Sequence, residues 1–314
     1  MNHSAVNCGE EVWAKYPSRR NSMKLTSNFV GANFKEYTCI VNARRIMNYA
    51  AAIGDANPVY FNDERPEGII APPLFPVALT WPIVENIADY LEVQDFPKEL
   101  LFTQVHYSEH LSIHRPITPG IHLKIKGAIA AILPHRAGTH VITRFDAQDA
   151  EGNHYFTEDI GAMMRGVECA DAGKGGESVP SVPQQKKESA VLWESVIPID
   201  PLAPFIYDGC TNIHFPIHTS VKLAHQVGLP GIIHQGTATL ALAVNNILNR
   251  EASGDPHRVA TVYCKFSGMV LPGSAIRVRL TGKNKVSGGI DLFFTVLNAE
   301  EKRAISDGYI RLKD

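Results

Sequence analysis

The 314-residue sequence has few cysteines, and their arrangement excludes two kinds of stabilising site. They are odd in number and widely spaced, and no two form a CxxC pair: Cys8, Cys39, Cys169, Cys210 and Cys264. This pattern excludes a disulfide framework and a zinc site. An excess of charge is also missing, since 30 Lys and Arg stand against 32 Asp and Glu. The near-balance argues against nucleic acid or an acidic membrane surface as the partner.

Long apolar runs are missing as well. The longest, Thr237 to Leu248, is far shorter than the ~20 residues that a membrane-spanning helix needs. Residues Met1 to Arg20 contain no apolar core of a secretory signal, and the last four residues are not a peroxisomal address of the Ser-Lys-Leu type. We therefore expect a soluble, cytoplasmic protein that does not bind membranes.

Two kinds of cofactor signal do not occur in the sequence. It contains no Gly-rich loop of the kind that binds phosphates and no set of residues at metal-ligand spacing. We therefore expect neither a cofactor nor a metal. The apolar fraction of 45% is ordinary for a folded protein, and the length is enough for two domains that each have a core.

One segment, Ala170 to Ser189, breaks the composition, because its residues are small, polar or proline. Such a segment is typical of a flexible, solvated linker. It divides the chain into an N-terminal domain of residues 1–168, a linker of residues 169–189 and a C-terminal domain of residues 190–314.

The two halves share features in the same order. The first half has Asp55-Ala-Asn57-Pro58-Val-Tyr60, then an apolar stretch, then a Pro119-Gly120 turn. The second half has Pro216-Ile-His218, then the Thr237–Leu248 run, then a Pro272-Gly273 turn. The turns lie 153 residues apart (119 to 272) and the earlier prolines 158 apart (58 to 216). We interpret this as an old duplication; the alternative is chance recurrence of Pro-Gly turns.

The pattern in each half predicts a buried helix followed by antiparallel strands. Apolar residues go almost all the way round the Thr237–Leu248 helix, which is typical of a buried helix. The segments after it alternate between apolar and polar residues, as strands with one covered face do: Arg258–Phe266, Ala275–Leu280, Asp291–Asn298 and Arg303–Leu312. A helix wrapped by such a sheet is an α+β hot-dog arrangement, and two copies predict a double hot dog packed as a pseudo-dimer.

These motifs resemble those of the MaoC-like dehydratases, the family of the R-specific enoyl-CoA hydratases. Pro216-Ile-His218-Thr219 reproduces the family's core motif. Gly231-Ile-Ile-His-Gln235-Gly236 is similar to its entry into the central helix, with Gln235 where the family usually has His. The 18 residues from His218 to Gly236 match the family's spacing between the catalytic His and the oxyanion-hole Gly.

The resemblance implies a function. The family adds water to, or removes it from, the C2–C3 bond of an acyl thioester carried by CoA or a carrier protein. The first half resembles the family's degenerate N-terminal domain and is expected to help form the acyl pocket. Its stretch Val77–Leu91 contains Trp81-Pro82, which predicts a kinked helix that forms a reshaped wall.

One departure from the family's pattern concerns its acid/base Asp. That residue lies five or six positions before the His, where this chain has Ile213 and Asn212. Asn cannot exchange a proton at neutral pH, although it can orient a water or a hydroxyl. The first half keeps Asp55 but has Tyr60 at the His position, so neither half carries the full Asp–His pair.

We predict an active site in the second half. His218 suits proton transfer, and the Gly236 N–H at the start of a buried helix suits the developing enolate oxygen. Asn212 would position the water or the leaving hydroxyl, and His214 or Asp208 would share the second proton-transfer role. The structural alternatives are hydrogen-bonding turn residues for the two histidines and a turn or helix cap for Asp208.

Other functions stay open because the Asp is missing. The scaffold could carry out another dehydration, an isomerisation or a cyclisation in a biosynthetic pathway, or serve as a non-catalytic partner that binds acyl groups. The expected ligand in each case is an acyl thioester or a related small molecule, and a homodimer is a candidate assembly.

Overall fold

The computed structural model describes residues 23–185 and 190–314. Cys8, the Met1–Arg20 segment examined for a signal, and residues 186–189 of the expected linker lie outside the described residues. The first half contains, in chain order, β1 (Lys24–Leu25), β2 (Tyr37–Ile40), α1 (Ala43–Ala52), α2 (Phe75–Glu85), α3 (Ile87–Tyr90), β3 (Gln104–Ile113), β4 (His122–His135), β5 (Gly138–Gln148), β6 (His154–Arg165) and β7 (Glu168–Cys169).

The second half repeats the main elements in the same order, namely a strand, a helix, the central helix and four strands, but among its described residues it lacks counterparts of β1, α3 and β7 and has a short helix before the central one. It contains β8 (Trp193–Pro198), α4 (Ala203–Thr211), α5 (Val221–Gln226), α6 (Gly236–Glu251), β9 (Val259–Phe266), β10 (Ala275–Val286), β11 (Gly289–Leu297) and β12 (Arg303–Lys313). The buried helix and the four strands predicted from the periodicity are thus confirmed, although β10 extends beyond its predicted end. In the described part of the chain, no helix is long and apolar enough to cross a membrane.

One ten-stranded sheet runs through both halves, in the order β2-β4-β5-β6-β3-β9-β12-β11-β10-β8. Strands β3 and β9 meet at its centre, where Ser108–Ser112 pairs antiparallel with Thr261–Lys265. Read inward from either end, the sheet has strands from the two halves in the same order. Helices α2 and α6 bury most of their side chains against this sheet. The fold is therefore the predicted α+β double hot dog.

Hydrogen bonds repeat at equivalent positions in the two halves. The Gly120 N–H donates to the Val41 carbonyl at 2.8 Å, and the Gly273 N–H donates to the Ile199 carbonyl at 2.9 Å. The donors lie 153 residues apart and the acceptors 158 apart, the two offsets that the sequence motifs show. Chance recurrence of Pro-Gly turns does not produce paired contacts of this kind, so the internal repeat is confirmed as a structural one.

The two copies meet through equivalent residues. Tyr49 on α1 and Tyr207 on α4 lie 158 positions apart, and their hydroxyl oxygens are 3.3 Å apart in the core. Their rings pack edge to face with centroids 6.0 Å apart. A residue that contacts its own counterpart marks a two-fold axis, as in the interface of a symmetric dimer.

The predicted kinked helix ends earlier than Leu91, because α2 stops at Glu85 and the separate short α3 follows after Asn86. Pro82 has no N–H, so the carbonyl of Ala78 lacks its usual donor from one turn ahead. Arg45 Nη2 donates to that carbonyl at 2.9 Å. The arginine therefore compensates for the bond that the proline removes.

The first part of the expected linker is bound to the sheet. Strand β7 pairs with β1, Lys174 forms a bridge with Ile132 on β4, and Arg144 Nη2 donates to the Ser178 carbonyl at 2.9 Å. The expectation of a flexible segment is therefore wrong for residues up to 178, because sheet partners satisfy these backbone groups. The domain boundaries at 168 and 190 stay a prediction.

Candidate active site

His218 lies at the end of a 3-10 turn, Pro216–His218, which follows α4. Its Nδ1 donates to the Ile233 carbonyl at 2.8 Å. Because a carbonyl oxygen only accepts, the proton is on Nδ1 and the lone pair is on Nε2. The turn and this bond hold His218 beside the entry to α6, with Nε2 available as a base.

Burial lowers the pKa of His218 to about 4, although the Ile233 carbonyl and the charge of Asp208 act in the opposite direction. The imidazole is therefore neutral at pH 7. A neutral imidazole with a free lone pair can take a proton from a substrate. The Asp208 charge would stabilise the imidazolium that this step produces.

Helix α6 begins at Gly236. The first N–H groups of a helix have no acceptor within it, and the helix dipole favours negative charge at this end. A Cβ on residue 236 would lie 3.0 Å from Cδ1 of Phe266, so a larger residue here would require the Phe266 ring to shift by a few tenths of an ångström. The preceding Gln235 is buried and holds the entry in place by donating from Nε2 to the Pro204 carbonyl at 2.9 Å.

Asp208 and His214 form a hydrogen-bond contact near the surface, with 3.0 Å between Oδ1 and Nδ1. The side chain of His214 is 46% exposed and that of Asp208 20%. Asp208 also acts electrostatically on His218, so the structure brings these three candidates into one neighbourhood. Helix α2 of the first half also contacts this group of residues, since Trp81 Nε1 donates to the His214 carbonyl at 3.0 Å.

Asn212 has a backbone role in the structure. It ends α4 with φ of 58°, in the left-handed region, and its N–H donates to the Asp208 carbonyl at 3.0 Å. Asn adopts this conformation more readily than other residues with a side chain, apart from Asp. Its predicted role toward a water or hydroxyl stays a prediction. The neighbouring Ile213, at the family's other carboxylate position, is 1% exposed.

One residue missing from the sequence-based site is His234. Its side chain is 4% exposed, and neither ring nitrogen has a hydrogen-bond partner within the described residues. Burial, together with the nearby His218, lowers its pKa to about 4. The signal was available, since His234 lies two positions before Gly236 in the helix-entry motif.

The corresponding segment of the first half, just before the central helix α2, has neither the histidine nor the glycine N–H. The His234 N–H donates to the Val270 carbonyl at 2.8 Å, and the Ala71 N–H donates to the Ile117 carbonyl at 2.8 Å. Both residues follow a Gly-Ile-Ile sequence, so Ala71 is the counterpart of His234. The same alignment places Pro73, which has no N–H, at the position of Gly236.

The first-half loop is a structural turn. Asp55 Oδ1 accepts from the Asn57 N–H at 3.0 Å, and Asn57 Oδ1 accepts from the Val59 N–H at 3.1 Å. Tyr60, in the place of the histidine, is 1% exposed. The expectation that this motif is a retained turn is confirmed.

Two family models match the chain, one in each half. Residues 184–302 match the MaoC like domain, and residues 28–157 match the FAS1-like, dehydratase domain region. The second match gives the first half a likeness to a dehydratase region as well. The resemblance inferred from the motifs is confirmed.

Two relatives illustrate the similarity in sequence. The chain is 25% identical over 285 residues to the peroxisomal multifunctional enzyme type 2 of Drosophila melanogaster, which covers 87% of this chain and 46% of that protein. It is 23% identical over 176 residues to the enoyl-CoA hydratase ChsH3 of Mycobacterium tuberculosis, which covers 56% of this chain and 60% of that protein. The chain therefore spans about half the length of the Drosophila enzyme.

A solved structure shows the same fold. The MaoC-like dehydratase from Phytophthora capsici superposes with a TM-score of 0.79 over 92% of this chain and 97% of that one. The sequence identity is 21%, so this likeness concerns the fold alone.

Proposed function

We propose that this chain, which joins a MaoC-like domain to a FAS1-like dehydratase region, is a hydro-lyase. It adds water to, or removes it from, the C2–C3 bond of an acyl thioester. The observation that carries the proposal is His218, whose Nδ1 donates to the Ile233 carbonyl at 2.8 Å, which leaves the lone pair on Nε2 beside the start of α6. The family matches and the names of the two relatives support the same reaction class.

In the dehydration direction, His218 Nε2 takes the C2 proton of a 3-hydroxyacyl thioester. The C–H electron pair moves toward the thioester carbonyl, whose oxygen gains negative charge and binds the Gly236 N–H. The imidazolium then gives the same proton to the C3 hydroxyl, which leaves as water while the C2=C3 bond forms. Hydration is the reverse. One imidazole therefore serves as both base and acid, so a second proton-transfer group is not required.

Asp208 would support this step without exchanging a proton. Its charge raises the pKa of His218 against the effect of burial, so it favours the imidazolium over the neutral ring. In the structure its carboxylate also contacts His214 at 3.0 Å, which holds it at the edge of the site. We therefore assign Asp208 and His214 as positioning residues.

The activity test uses purified protein with crotonyl-CoA and longer 2-enoyl-CoAs, measured as loss of the enoyl absorbance. Turnover by the wild type that disappears in His218→Ala, but not in the control His257→Ala at an exposed histidine of the second half, supports the proposal. The absence of turnover with any chain length would count against a hydratase. Unchanged activity in His218→Ala would overturn the site.

One observation favours a second candidate function, in which the same scaffold catalyses another dehydration, an isomerisation or a cyclisation. Ile213, which is buried, stands at the family's carboxylate position, and Asn212 stands at the alternative one. This chain therefore lacks the acid/base Asp that an ordinary hydratase of the family uses. A large gain in hydratase activity in Asn212→Asp would show that the missing carboxylate limits the ordinary reaction. An unchanged rate would support the mechanism with one imidazole.

Assembly as a homodimer is also proposed. Three apolar side chains at and just before α4 support it, since Leu202 is 60% exposed and Phe205 and Ile206 are each 43% exposed. Apolar patches of this kind mark contact surfaces in many soluble proteins. Light scattering after gel filtration would give the mass in solution, and a mass of one chain at micromolar concentration would contradict the dimer.

The compartment of the protein is a separate proposal. We propose the cytoplasm, whereas the Drosophila relative is named as peroxisomal. Imaging the chain with a fluorescent tag at either terminus would distinguish the two compartments, and punctate peroxisomal fluorescence would overturn the proposal.

A further inference from the structure

We propose that His234 is a second hydrogen-bond donor to the substrate's thioester oxygen, beside the Gly236 N–H. In this role the ring stays neutral throughout and stabilises negative charge on that oxygen. The inference rests on the proposed hydro-lyase function and adds to it a catalytic group that the sequence motifs did not identify.

The position of His234 is the first support. It lies two residues before Gly236, and its backbone is fixed by the bond from its N–H to the Val270 carbonyl at 2.8 Å. The preceding carbonyl, that of Ile233, accepts the bond from His218 Nδ1 at 2.8 Å. The base, the second imidazole and the helix N-terminus are therefore adjacent to one another at the start of α6.

The missing hydrogen bonds are the second support. A neutral imidazole carries one donor and one acceptor, and in His234 neither is paired within the described residues although the side chain is 4% exposed. A buried polar group left without a partner destabilises the folded state. A carbonyl oxygen of the substrate would supply the acceptor that the described part of the chain does not.

The first half shows that the fold does not require an imidazole here. Ala71 occupies the equivalent position and makes the equivalent backbone bond, to Ile117 at 2.8 Å. A buried histidine that only fills space would be expected to satisfy its nitrogens with neighbouring groups. The histidine is thus present in the half that has the His218 base and absent from the half that lacks it.

The electrostatics of the site keep this imidazole neutral. Burial lowers the pKa of His234 to about 4, and the charge of a protonated His218 lowers it further. When His218 carries the substrate's proton, protonation of His234 is therefore disfavoured most. A neutral imidazole whose pKa is held low can polarise a carbonyl without transferring a proton, as in other enzymes that form enolates.

The test compares three substitutions in the full-length chain. His234→Leu removes the donor at similar volume, whereas His234→Gln and His234→Asn keep an amide N–H at two different reaches. Loss of one donor to an oxyanion costs about 10²–10³-fold in kcat, so we expect that loss in His234→Leu with little change in KM. At least one of the two amide variants should recover a large part of kcat.

A spectroscopic measurement separates this role from a structural one. A 2,4-dienoyl-CoA bound to the protein absorbs at longer wavelength when donors polarise its thioester carbonyl. We expect this red shift in the wild type and in the amide variant that recovers kcat, and a smaller shift in His234→Leu at saturating ligand. Substitutions that only loosen the fold would lower the melting temperature without changing the spectrum of the bound molecule.

Several results would overturn the inference. The first is a His234→Leu variant whose turnover and red shift both equal those of the wild type. The second is a change in the acid limb of the pH profile in the amide variants, because that would indicate proton transfer by His234. If His234→Leu does not fold, equal kcat and equal red shifts in the wild type and both amide variants would contradict a directional donor. A wild type that red-shifts the dienoyl ligand but hydrates no enoyl-CoA would contradict the proposed function alone.

Discussion

The two halves have one architecture but different helix entries. Backbone bonds from Ala71 to Ile117 and from His234 to Val270, in the loop between the first two strands after the central helix, are both 2.8 Å long, so the entries can be compared residue by residue. Three of the differences between them bear on the proposed chemistry: tyrosine against histidine (Tyr60, His218), alanine against histidine (Ala71, His234) and proline against glycine (Pro73, Gly236). Each one removes a donor or a base from the first half.

The first half contributes structure to the second site instead. Trp81 on α2 donates to the His214 carbonyl at 3.0 Å, and in the opposite direction Asn57 Nδ2 donates to the Gly254 carbonyl, just after α6, at 2.8 Å. The loop of each half therefore packs against the helix of the other. A duplicated fold can lose the chemistry of one copy while that copy still holds the other copy's site in place.

The largest expected difference between the halves is in catalysis. His218→Ala should lower kcat/KM by about 10²–10⁴-fold, since it removes the only base assigned to the reaction. Tyr60→Phe, at the equivalent buried position, should leave kcat/KM within a factor of about three, because no role in the reaction is assigned to Tyr60. Steady-state kinetics on crotonyl-CoA measure both, and equal losses in the two variants would contradict a single working half.

The same base predicts a dependence on pH. Burial holds the pKa of His218 at about 4, so Nε2 is free above that pH and becomes protonated below it. The value of kcat/KM should therefore stay level from pH 7 downward and fall only near pH 4. A profile that falls near 6.5, the ordinary pKa of histidine, would show that His218 is not the base.

A smaller effect is expected at the start of α6. In Gly236→Ala the new Cβ would lie 3.0 Å from the Phe266 ring, which must move, and we expect about a tenfold loss of kcat. Gly236→Ala combined with Phe266→Leu should recover part of it, since the smaller side chain gives room. Pro73→Ala at the first-half position should have no effect on kcat. Absence of recovery in the double variant would show that steric contact with Phe266 is not the cause.

The halves also differ in buried charge. Glu109 on β3 is fully buried, 3.1 Å from His106 Nε2 and near Glu158 and Asp159, and burial raises its pKa to about 8. Its folded pKa is above that of the unfolded chain, so its contribution to stability is complete below pH ~4.5 and is lost as the pH rises through 8. By the 153-residue offset its counterpart in the second half is the apolar Val262, opposite Ile310 on β12.

Glu109→Gln tests this difference. The variant should gain about 1–3 kcal/mol of unfolding free energy relative to the wild type at pH 9, and less at pH 5, because an ionised buried carboxylate is no longer present. Denaturant unfolding at the two pH values gives the comparison. A gain that does not depend on pH would show that ionisation of Glu109 does not limit stability.

The smallest expected effect concerns the contact between the halves. Trp81→Phe keeps most of the ring but removes the N–H that donates to the His214 carbonyl, and a single neutral bond of this kind contributes about 0.5–1.5 kcal/mol. We expect a drop in stability of that size and a moderate rise in KM, with kcat little changed. A large fall in kcat would instead place Trp81 in contact with the reacting atoms.

Much of the fold followed from local pattern. The periodicity of Thr237–Leu248 predicted α6, and alternation predicted the strands that follow, because burial of one face imposes a period on the sequence wherever an element packs. Two predictions were wrong: α2 is shorter than expected, and residues 170–178 are held against the sheet although a flexible linker was expected. Both features depend on partners from distant parts of the chain, such as Arg45 for the Ala78 carbonyl.

The sequence by itself determined the internal repeat and the double hot dog, and it predicted that His218 and Gly236 act together, because motif order and spacing can be read along the chain. Only the tertiary structure decided that Asp208 and His214 lie near His218, that Trp81 reaches the site from the other half, and that the ring of His234 is buried with no hydrogen-bond partner among the residues the structure describes. Proximity and unsatisfied hydrogen bonds arise when elements far apart in the chain pack together, and no local pattern of residues encodes them.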